Sequence, residues 1–331
     1  RIETVLADLN RDPVVVSGAA VPGDPPGVEL AFRWEDEEND KPTWVPQGIT
    51  GSADADPSGL VAGRRVVVVS FYWKEDEAPA DPHKGVRLAF VDITNPAAPS
   101  YRFVLLVEPT AGPSWQPVEI HAGGIAWVGD YLYVAHTGKG VRVFDTTRIL
   151  QADTSVDEIG CAGGVCRAGL YKYVLPQVGA FERFAACDPQ PIFSFVALDR
   201  SGAVPRLVTG EYCSTTACDT SLSGRVLRFP LDPTTGALAS PDRTFAESAF
   251  YMGERQVQGA VSVGDTFLLS SSEPAGGAGA LYRVVSGGRD AIGWIDTPED
   301  VYVDHTNAQL FSLSEGLGER FVFGASLDAY I

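Results

Sequence analysis

Hydrophobic positions along this chain occur in short runs, without the spacing of an amphipathic helix. Runs rich in Val, Ile, Leu, Phe and Tyr alternate with clusters of Gly, Pro, Asp and Ser. Such runs, bounded by turn residues, are typical of β-strands, whereas a helix repeats its apolar positions every three to four residues. The longest apolar candidate, Val66 to Tyr72, is far too short to cross a membrane. The pattern predicts an all-β chain without a membrane span.

The predicted strands follow a repeated order. Residues 125–145 and 260–285 both read as strand, Val-Gly-Asp turn, strand, Gly-rich loop and strand. Extending this order gives five units, each with up to four strands, that share a pattern more than residue identity. The units occupy residues 48–107, 124–175, 193–247, 259–295 and 301–325. The second unit carries a long insertion before its last strand, and the fifth unit has only three strands.

The N-terminal part of the chain can supply the strand that the fifth unit lacks. Residues 28–34 read as a strand, and Trp34 lies 13 positions before Gln47. Val107, which ends the first unit, lies 14 positions before His121. The similar spacing predicts that residues 28–34 complete the fifth unit and close a ring, which leaves only short protected sheet edges.

These observations predict one domain with the fold of a five-bladed β-propeller, closed by an N-terminal strand. Residues 1–27 form an N-terminal arm, residues 28–34 form the closing strand and residues 47–331 form the blades. An irregular two-sheet sandwich is the alternative architecture, because the units are related by pattern alone.

The four-strand unit with its Gly-Asp turn resembles the β-propeller superfamily over about residues 28–325. The phrases HAGGIAWVGDYLYVAHTGKGVRVFD and TPEDVYVDHTNAQLFSLSE also resemble those of secreted, uncharacterised bacterial propeller proteins. The signatures of WD40 and kelch repeats are missing. The resemblance implies the fold and brings no activity with it.

Charge and cysteine content restrict the partners and the compartment. The formal net charge of −18 would repel a phosphate backbone or an anionic membrane, so nucleic acid is an unfavourable partner. Two Cys-x4-Cys pairs, Cys161 with Cys166 and Cys213 with Cys218, favour local disulfides, and Cys187 is left over. A zinc site would need both pairs to converge. The chain begins at Arg1, as expected of a mature chain after signal removal or of a trimmed one. We expect an extracellular or periplasmic protein.

A propeller brings the starts of its first strands and the ends of its second strands to one face, which we call the mouth face. Chemically active residues stand at both kinds of position. At the starts of first strands are Gln47, His121, Gln258, Glu299 and Asp300. At the ends of second strands are Tyr72, Trp73, His136, Glu211, Glu273 and Glu315. We therefore predict one polar central site that acts on an extracellular carbohydrate or another small extracellular ligand.

Two catalytic chemistries fit this set of residues. Glu273 and Glu315 could divide the acid and base roles of a glycoside hydrolase, with Glu211 as a third carboxylate. The five-bladed glycoside hydrolases that the fold resembles carry acids at the starts of inner strands, where this chain has only Glu299 and Asp300. Alternatively, His121 or His136 could abstract a proton in a polysaccharide lyase, with Tyr72 as the donor.

The other class of function is a non-catalytic propeller that binds carbohydrate or protein, with Trp44, Trp73 and Trp115 stacking on sugars. A structural reading stands beside all of these hypotheses, because a Glu or His at a strand end often serves only its own turn.

No cofactor is indicated with certainty. Acidic segments at residues 52–57 and 296–300 are rich in the oxygen ligands that Ca²⁺ prefers, yet neither matches a calcium-binding loop. A solvated acidic turn is the alternative interpretation of both segments. The sequence contains no phosphate-binding Gly loop followed by Lys and a helix, and no G-x-S-x-G nucleophile motif.

Overall fold

Antiparallel strands make up most of the regular structure, which confirms the all-β prediction. The computed structural model describes residues 1–77, 83–186, 188–214, 224–240, 242–272 and 279–331. The α-helices are short: α1 (Ile2–Leu6), α2 (Asp36–Asn39) and α3 (Ser52–Ala55). Short 3₁₀ turns cover Gly18–Ala20, Glu75–Glu77, Thr146–Arg148 and Leu327–Ala329. Across these described ranges, no helix is long and apolar enough to span a membrane.

The strands group into units in chain order. A short strand β1 (Val14–Val15) and β2 (Val28–Arg33) precede the first unit, which contains β3 (Trp44–Gly51), β4 (Val66–Trp73), β5 (Val86–Asp92) and β6 (Ser100–Pro109). β7 (Trp115–Pro117) extends the edge of β6. The second unit contains β8 (Ile125–Val128), β9 (Tyr131–His136), β10 (Gly140–Asp145) and, after the insertion, β14 (Tyr173–Glu182). The insertion holds β11 (Leu150–Gln151), β12 (Ile159–Ala162) and β13 (Val165–Ala168).

The remaining units are regular antiparallel sheets. The third unit is β15 (Phe195–Asp199), β16 (Arg206–Gly210), β17 (Arg225–Pro230) and β18 (Ser248–Tyr251). The fourth is β19 (Val257–Val263), β20 (Thr266–Ser271), β21 (Gly279–Val285) and β22 (Gly288–Trp294). The last is β23 (Pro298–Asp304), β24 (Gln309–Ser314) and β25 (Phe321–Ser326). β2 pairs antiparallel with β25, so the first long strand of the chain lies beside the last one.

The first strands of the units contact one another in a closed cycle, β3 to β8, β8 to β15, β15 to β19, β19 to β23 and β23 back to β3. Glycines allow this close approach of backbones. A Cβ atom on Gly124 would lie 2.4 Å from the nitrogen of Val196, which is closer than real Cβ contacts. The two-sheet sandwich is therefore wrong, and the sheets are arranged as in a β-propeller.

Hydrophobic cores lie between neighbouring units. In the described part of the chain, the buried apolar residues form five clusters, and each joins the facing surfaces of two adjacent units. The cluster between the first and last units holds Trp34, Phe71 and Phe311, all fully buried. The N-terminal arm also contributes, because Val5 and Leu6 of α1 pack into the cluster between the first and second units. The arm is thus part of the core.

Two predicted last strands differ from those observed. In the second unit, residues 171–175 were expected to be the last strand, whereas β14 continues to Glu182. Its first half pairs parallel with β6 of the first unit, and its second half pairs antiparallel with β10. In the third unit, the strand is Ser248–Tyr251 and not residues 243–247, where Phe245 is 71% exposed. These outer strands are only half buried, so their hydrophobic pattern is weak.

One predicted disulfide lies in the insertion. Cys161 and Cys166 face each other across the β12–β13 hairpin and are bonded, so this pair is not a zinc ligand set. Cys213 is also disulfide-bonded. Its predicted partner, Cys218, and the remaining Cys187 lie outside the described residues.

Candidate functional site

Three inner strands carry a β-bulge near their first residues. The register shifts between Pro46 and Ile49 in β3, between Val257 and Gly259 in β19, and between Pro298 and Val301 in β23. A bulge redirects side chains and is frequent beside functional sites. The bulged segments contain Gln47, Gln258, Glu299 and Asp300, which are four of the predicted site residues.

Five side chains gather around these bulges, and we call them the mouth cluster: Gln47, Tyr72, His121, Glu299 and Glu315. Gln47 Nε2 donates a hydrogen bond to Glu315 Oε2 at 2.9 Å. The rings of Tyr72 and His121 lie 4.4 Å apart between centroids. The charges of Glu315 and Glu299 both act on the Tyr72 hydroxyl. All five were singled out from the sequence.

Burial changes the protonation of the cluster. The pKa of Glu299 is raised well above its ordinary value by burial, with the charges of Glu315 and Asp300 adding to the effect. Burial also raises the pKa of Glu315, although the hydrogen bond from Gln47 and the charge of Arg320 oppose the rise. Glu299 Oε2 has no hydrogen-bond partner among the described residues. A proton is therefore held more firmly by Glu299 than by Glu315.

Tyr72 and His121 are neutral at neutral pH. Burial, together with the charges of Glu315 and Glu299, raises the pKa of the Tyr72 hydroxyl to about 12. Partial desolvation lowers the pKa of His121, whose side chain keeps access to solvent. The cluster thus offers a hydroxyl donor and an unprotonated imidazole beside a pair of carboxyls.

Arg320 is a buried side chain that contacts the backbone of Glu315 in the mouth cluster. It was not predicted from the sequence. Its side chain is 2% exposed and donates to the backbone oxygens of Glu315, Glu38 and Lys41. Burial and the neighbouring Arg87 lower the pKa of Arg320 to about 10. The segment SLSEGLGER, residues 312–320, ends at Arg320, and its charged residues resemble those of any solvated turn. No sequence signal therefore separates Arg320 from an exposed arginine.

Asp300 lies deeper than the mouth cluster, where β23 of the last unit contacts β3 of the first. Its side chain is fully buried, and Oδ2 accepts a hydrogen bond from the nitrogen of Ile49 at 3.0 Å. A Cβ atom on Gly259 would lie 2.5 Å from Oδ1 of Asp300, so the space beside this carboxyl is already filled. The prediction that Asp300 binds substrate is replaced by a role in joining β23 to β3.

Glu211 is held by its own unit. Arg225 donates to both of its carboxylate oxygens, at 2.9 and 2.6 Å, and the nitrogen of Ile192 donates to Oε1 at 3.0 Å. The side chain is 1% exposed. These bonds satisfy the carboxylate locally, and no described contact joins Glu211, predicted as a third carboxylate of the site, to the mouth cluster.

His136 also has partners outside the mouth cluster. Its Nδ1 accepts a hydrogen bond from Arg142, and burial, aided by the charges of Arg142 and Lys139, lowers its pKa to about 4. Gln258 is half buried, and the described part of the chain shows no hydrogen bond between it and the cluster. Glu273, one of the two principal catalytic candidates, lies outside the described residues.

The predicted tryptophan platform is absent from the mouth face. Trp73 is 5% exposed and packs edge-on against Trp44, with ring centroids 5.1 Å apart. Trp115 donates from its indole to the oxygen of Arg167 and packs on the same core. The expected role of Trp73 in stacking on a substrate in the mouth is therefore wrong, because its ring serves the core between the first and last units.

The acidic segments show no calcium site in the ranges that the structure covers. Asp54 accepts a hydrogen bond from Thr50, and Asp56 caps the turn at Ser58. Among the described residues, no group of three or more His, Cys, Asp and Glu side chains is placed to hold a metal ion.

Comparison with known proteins gives distant structural similarity only. No family model matches the chain, and no curated protein matches it. The chain is similar to a GH43_1 enzyme from Xanthomonas citri, with 11% identity, a TM-score of 0.42 and coverage of 95% of this chain and 90% of that one. It is also similar to a glycoside hydrolase family 43 arabinoxylan arabinofuranohydrolase from Bacillus subtilis, with 11% identity, a TM-score of 0.38 and coverage of 85% and 62%. A third similar structure is the β-propeller domain of Cps50 (Swd1) from Myceliophteria thermophila, with 12% identity, a TM-score of 0.32 and coverage of 85% and 83%.

Proposed function

We propose that the five units are the blades of one five-bladed propeller closed by β2. The closed cycle of contacts among β3, β8, β15, β19 and β23 supports the blade number. The antiparallel pairing of β2 with β25 supports closure, since it gives the last unit its fourth strand. The mouth cluster then lies where the first and last blades meet.

We propose that the mouth cluster performs acid/base cleavage of an extracellular carbohydrate. The observation that carries this proposal is the pair of carboxyls, Glu299 and Glu315, whose surroundings raise both pKa values to different extents. Unequal retention of a proton by neighbouring carboxyls divides the acid and base roles in glycoside hydrolysis. The protein is expected to work outside the cytoplasm.

Four of the five residues of the mouth cluster have a role in this reaction. Protonated Glu299 gives its proton to the glycosidic oxygen as the C–O bond breaks. Ionised Glu315, hydrogen-bonded by Gln47, takes a proton from the attacking water or attacks the sugar itself. Tyr72 donates a hydrogen bond to a sugar hydroxyl.

A second reaction is favoured by the contact between Tyr72 and His121. In β-elimination from a uronate, the unprotonated imidazole of His121 takes the proton from C5 of the sugar. The C4–O4 bond breaks, a C4–C5 double bond forms, and the leaving oxygen takes a proton from Tyr72.

Incubation of the protein with a panel of polysaccharides tests both reactions. Hydrolysis produces new reducing ends without ultraviolet absorbance, whereas elimination produces both reducing ends and the absorbance of unsaturated uronates. E299Q and E315Q are expected to lose hydrolysis, and E319Q is the matched control because Glu319 is exposed beside the same strand pair. Retention on a glycan column without any product would favour a binding module and reject the enzyme.

A further inference from the structure

A cavity of about 530 Å³ beside the first unit collects positive charge in this acidic protein. Six cationic side chains line it, and we call it the basic cleft: Arg11, Lys41, Lys84, Arg87, Arg102 and Lys172. The chain has only five lysines, at positions 41, 74, 84, 139 and 172, and three of them line this cavity. In a chain with a formal net charge of −18, such a concentration favours an anionic ligand.

The basic cleft adjoins the mouth cluster through the end of β4. Tyr72, the penultimate residue of that strand, belongs to the mouth cluster, and Trp73, the last residue, forms a wall of the cleft. Trp44 forms the neighbouring wall, and the nitrogen of Lys74 donates to the oxygen of Thr43 at the boundary. Both sites therefore lie at the end of β4.

The floor of the cleft is a buried ion pair. Arg87 is 2% exposed, pairs with Glu38 and lies 3.7 Å from the ring centroid of Phe103. Its Nη1 also donates to the hydroxyl of Tyr171 at 3.1 Å. The Nε atom of this buried guanidinium has no hydrogen-bond partner in the described part of the chain. Glu38 is the one acid among the described lining residues.

All but one of the rim cations pair with acids, Arg11 with Glu35 and Arg102 with Asp8 among them. Lys84 pairs with Asp157 at 2.7 Å and Lys172 pairs with Asp8 at 2.6 Å, and both acids stand outside the lining. The side chains of Asp157 and Asp8 are 49% and 36% exposed. A ligand carboxylate would replace Asp157 at Lys84, whose side chain is 14% exposed, and Asp8 at Lys172, whose side chain is 39% exposed. Lys41 has no ion pair among the described residues and needs no exchange.

We propose that the basic cleft binds the carboxylate groups of an acidic oligosaccharide, next to the mouth cluster. The preference for an anion follows from the lining charges, and the choice of a sugar rests on the proposed function. The rim lysines Lys41, Lys84 and Lys172 hold the carboxylates above the buried floor of the cleft.

Titration calorimetry with trigalacturonate and with its methyl ester tests the proposal. The two ligands differ in charge and little in shape, so we expect the acid to bind at least about tenfold more tightly. K84Q/K172Q should lose about tenfold in affinity for the acid and little for the ester. K139Q is the control, because Lys139 is an exposed lysine elsewhere on the protein. Thermal melting of each variant verifies that the fold is retained.

The outcomes separate this proposal from the proposed function. Equal binding of acid and ester, or equal loss in K84Q/K172Q and K139Q, would overturn the basic cleft as an anion site. Charge-dependent binding that K84Q/K172Q weakens, in a protein that cleaves no polysaccharide, would support the cleft and reject the enzymatic role of the mouth.

Discussion

Gln47 and Glu315 are 268 positions apart in the sequence, and their side chains meet at 2.9 Å in the mouth cluster. Gln47 is 1% exposed, so its amide is fixed between the first and last units. One hydrogen bond thus joins the start of the first inner strand to the loop that follows β24, and it also favours the ionised form of Glu315.

Replacing Gln47 by Ala should destabilise the protein and alter its pH dependence. The variant removes a donor to a buried carboxylate, a loss of about 1.5–3 kcal/mol in free energy of unfolding. Without this bond the pKa of Glu315 should rise further, which shifts the acidic limb of any activity profile to higher pH. Chemical denaturation and a pH–rate profile measure the two effects. An unchanged profile would contradict the assigned role of Gln47.

Replacing Glu299 by Gln should stabilise the protein at neutral pH. The pKa of Glu299 is higher in the folded chain than its ordinary value of 4.5. The folded chain therefore binds more protons, and its stability falls as the pH rises from about 4.5 through the folded-state pKa. E299Q removes this loss, so the free energy of unfolding should rise by about 1 kcal/mol at pH 7.

At pH 4 the same variant should be nearly neutral, because Glu299 is protonated in both states. Denaturant titrations at pH 4 and pH 7 measure the difference, with E319Q as the exposed control. An equal change in stability at pH 4 and pH 7 would show that ionisation of Glu299 does not destabilise the folded chain.

Gly124 should not tolerate a methyl group. Because the added Cβ would lie 2.4 Å from the backbone nitrogen of Val196, G124A must displace β15 from β8. Overpacking of this kind costs about 1–3 kcal/mol. G112A is the matched control, since no heavy atom lies within 4 Å of a Cβ at that position, and its effect should stay within about 0.5 kcal/mol. Equal melting temperatures for the two variants would contradict the tight contact between inner strands.

Removal of residues 1–34 should give aggregated or unfolded protein. The deletion exposes the edge of β25 and removes Phe32 and Trp34, both fully buried. A milder variant, F32A, should cost about 3–5 kcal/mol. V15A is its control, because Val15 pairs with Phe32 in register but is 45% exposed. Size-exclusion chromatography and thermal melting provide the measurement, and a soluble deletion with a cooperative melt would contradict closure by β2.

Replacing Arg87 by Gln should be more damaging than replacing both members of its ion pair. R87Q leaves the buried carboxylate of Glu38 without its main partner, a loss of about 3–5 kcal/mol. R87Q/E38Q removes both charges and should recover part of that stability. A double-mutant cycle by chemical denaturation measures the coupling energy, and strict additivity would show that the pair is not coupled.

The sequence predicted strand positions well because turn residues bound each apolar run. It also singled out Gln47 and Glu299, because both stand at the starts of predicted inner strands, and the structure places both in β-bulges. It failed at Trp73 because successive strand residues point to opposite faces, and an uncertainty of one position exchanges Tyr72 with Trp73. Glu211 and Arg87 were beyond prediction, because their partners are fixed by pairing between distant segments, which spacing along the chain does not reveal.

β14 has a consequence for how this ring holds together. Because one continuous strand is hydrogen-bonded to both β6 and β10, the first two units share a backbone. Cutting the chain in the loop between them would leave them attached through the ladder of a shared strand. The third unit is joined to its neighbours by isolated main-chain bonds, such as those from Phe193 to Thr137 and from Gln256 to Cys213. The contact between the first two units should therefore resist separation more strongly than the other contacts between units.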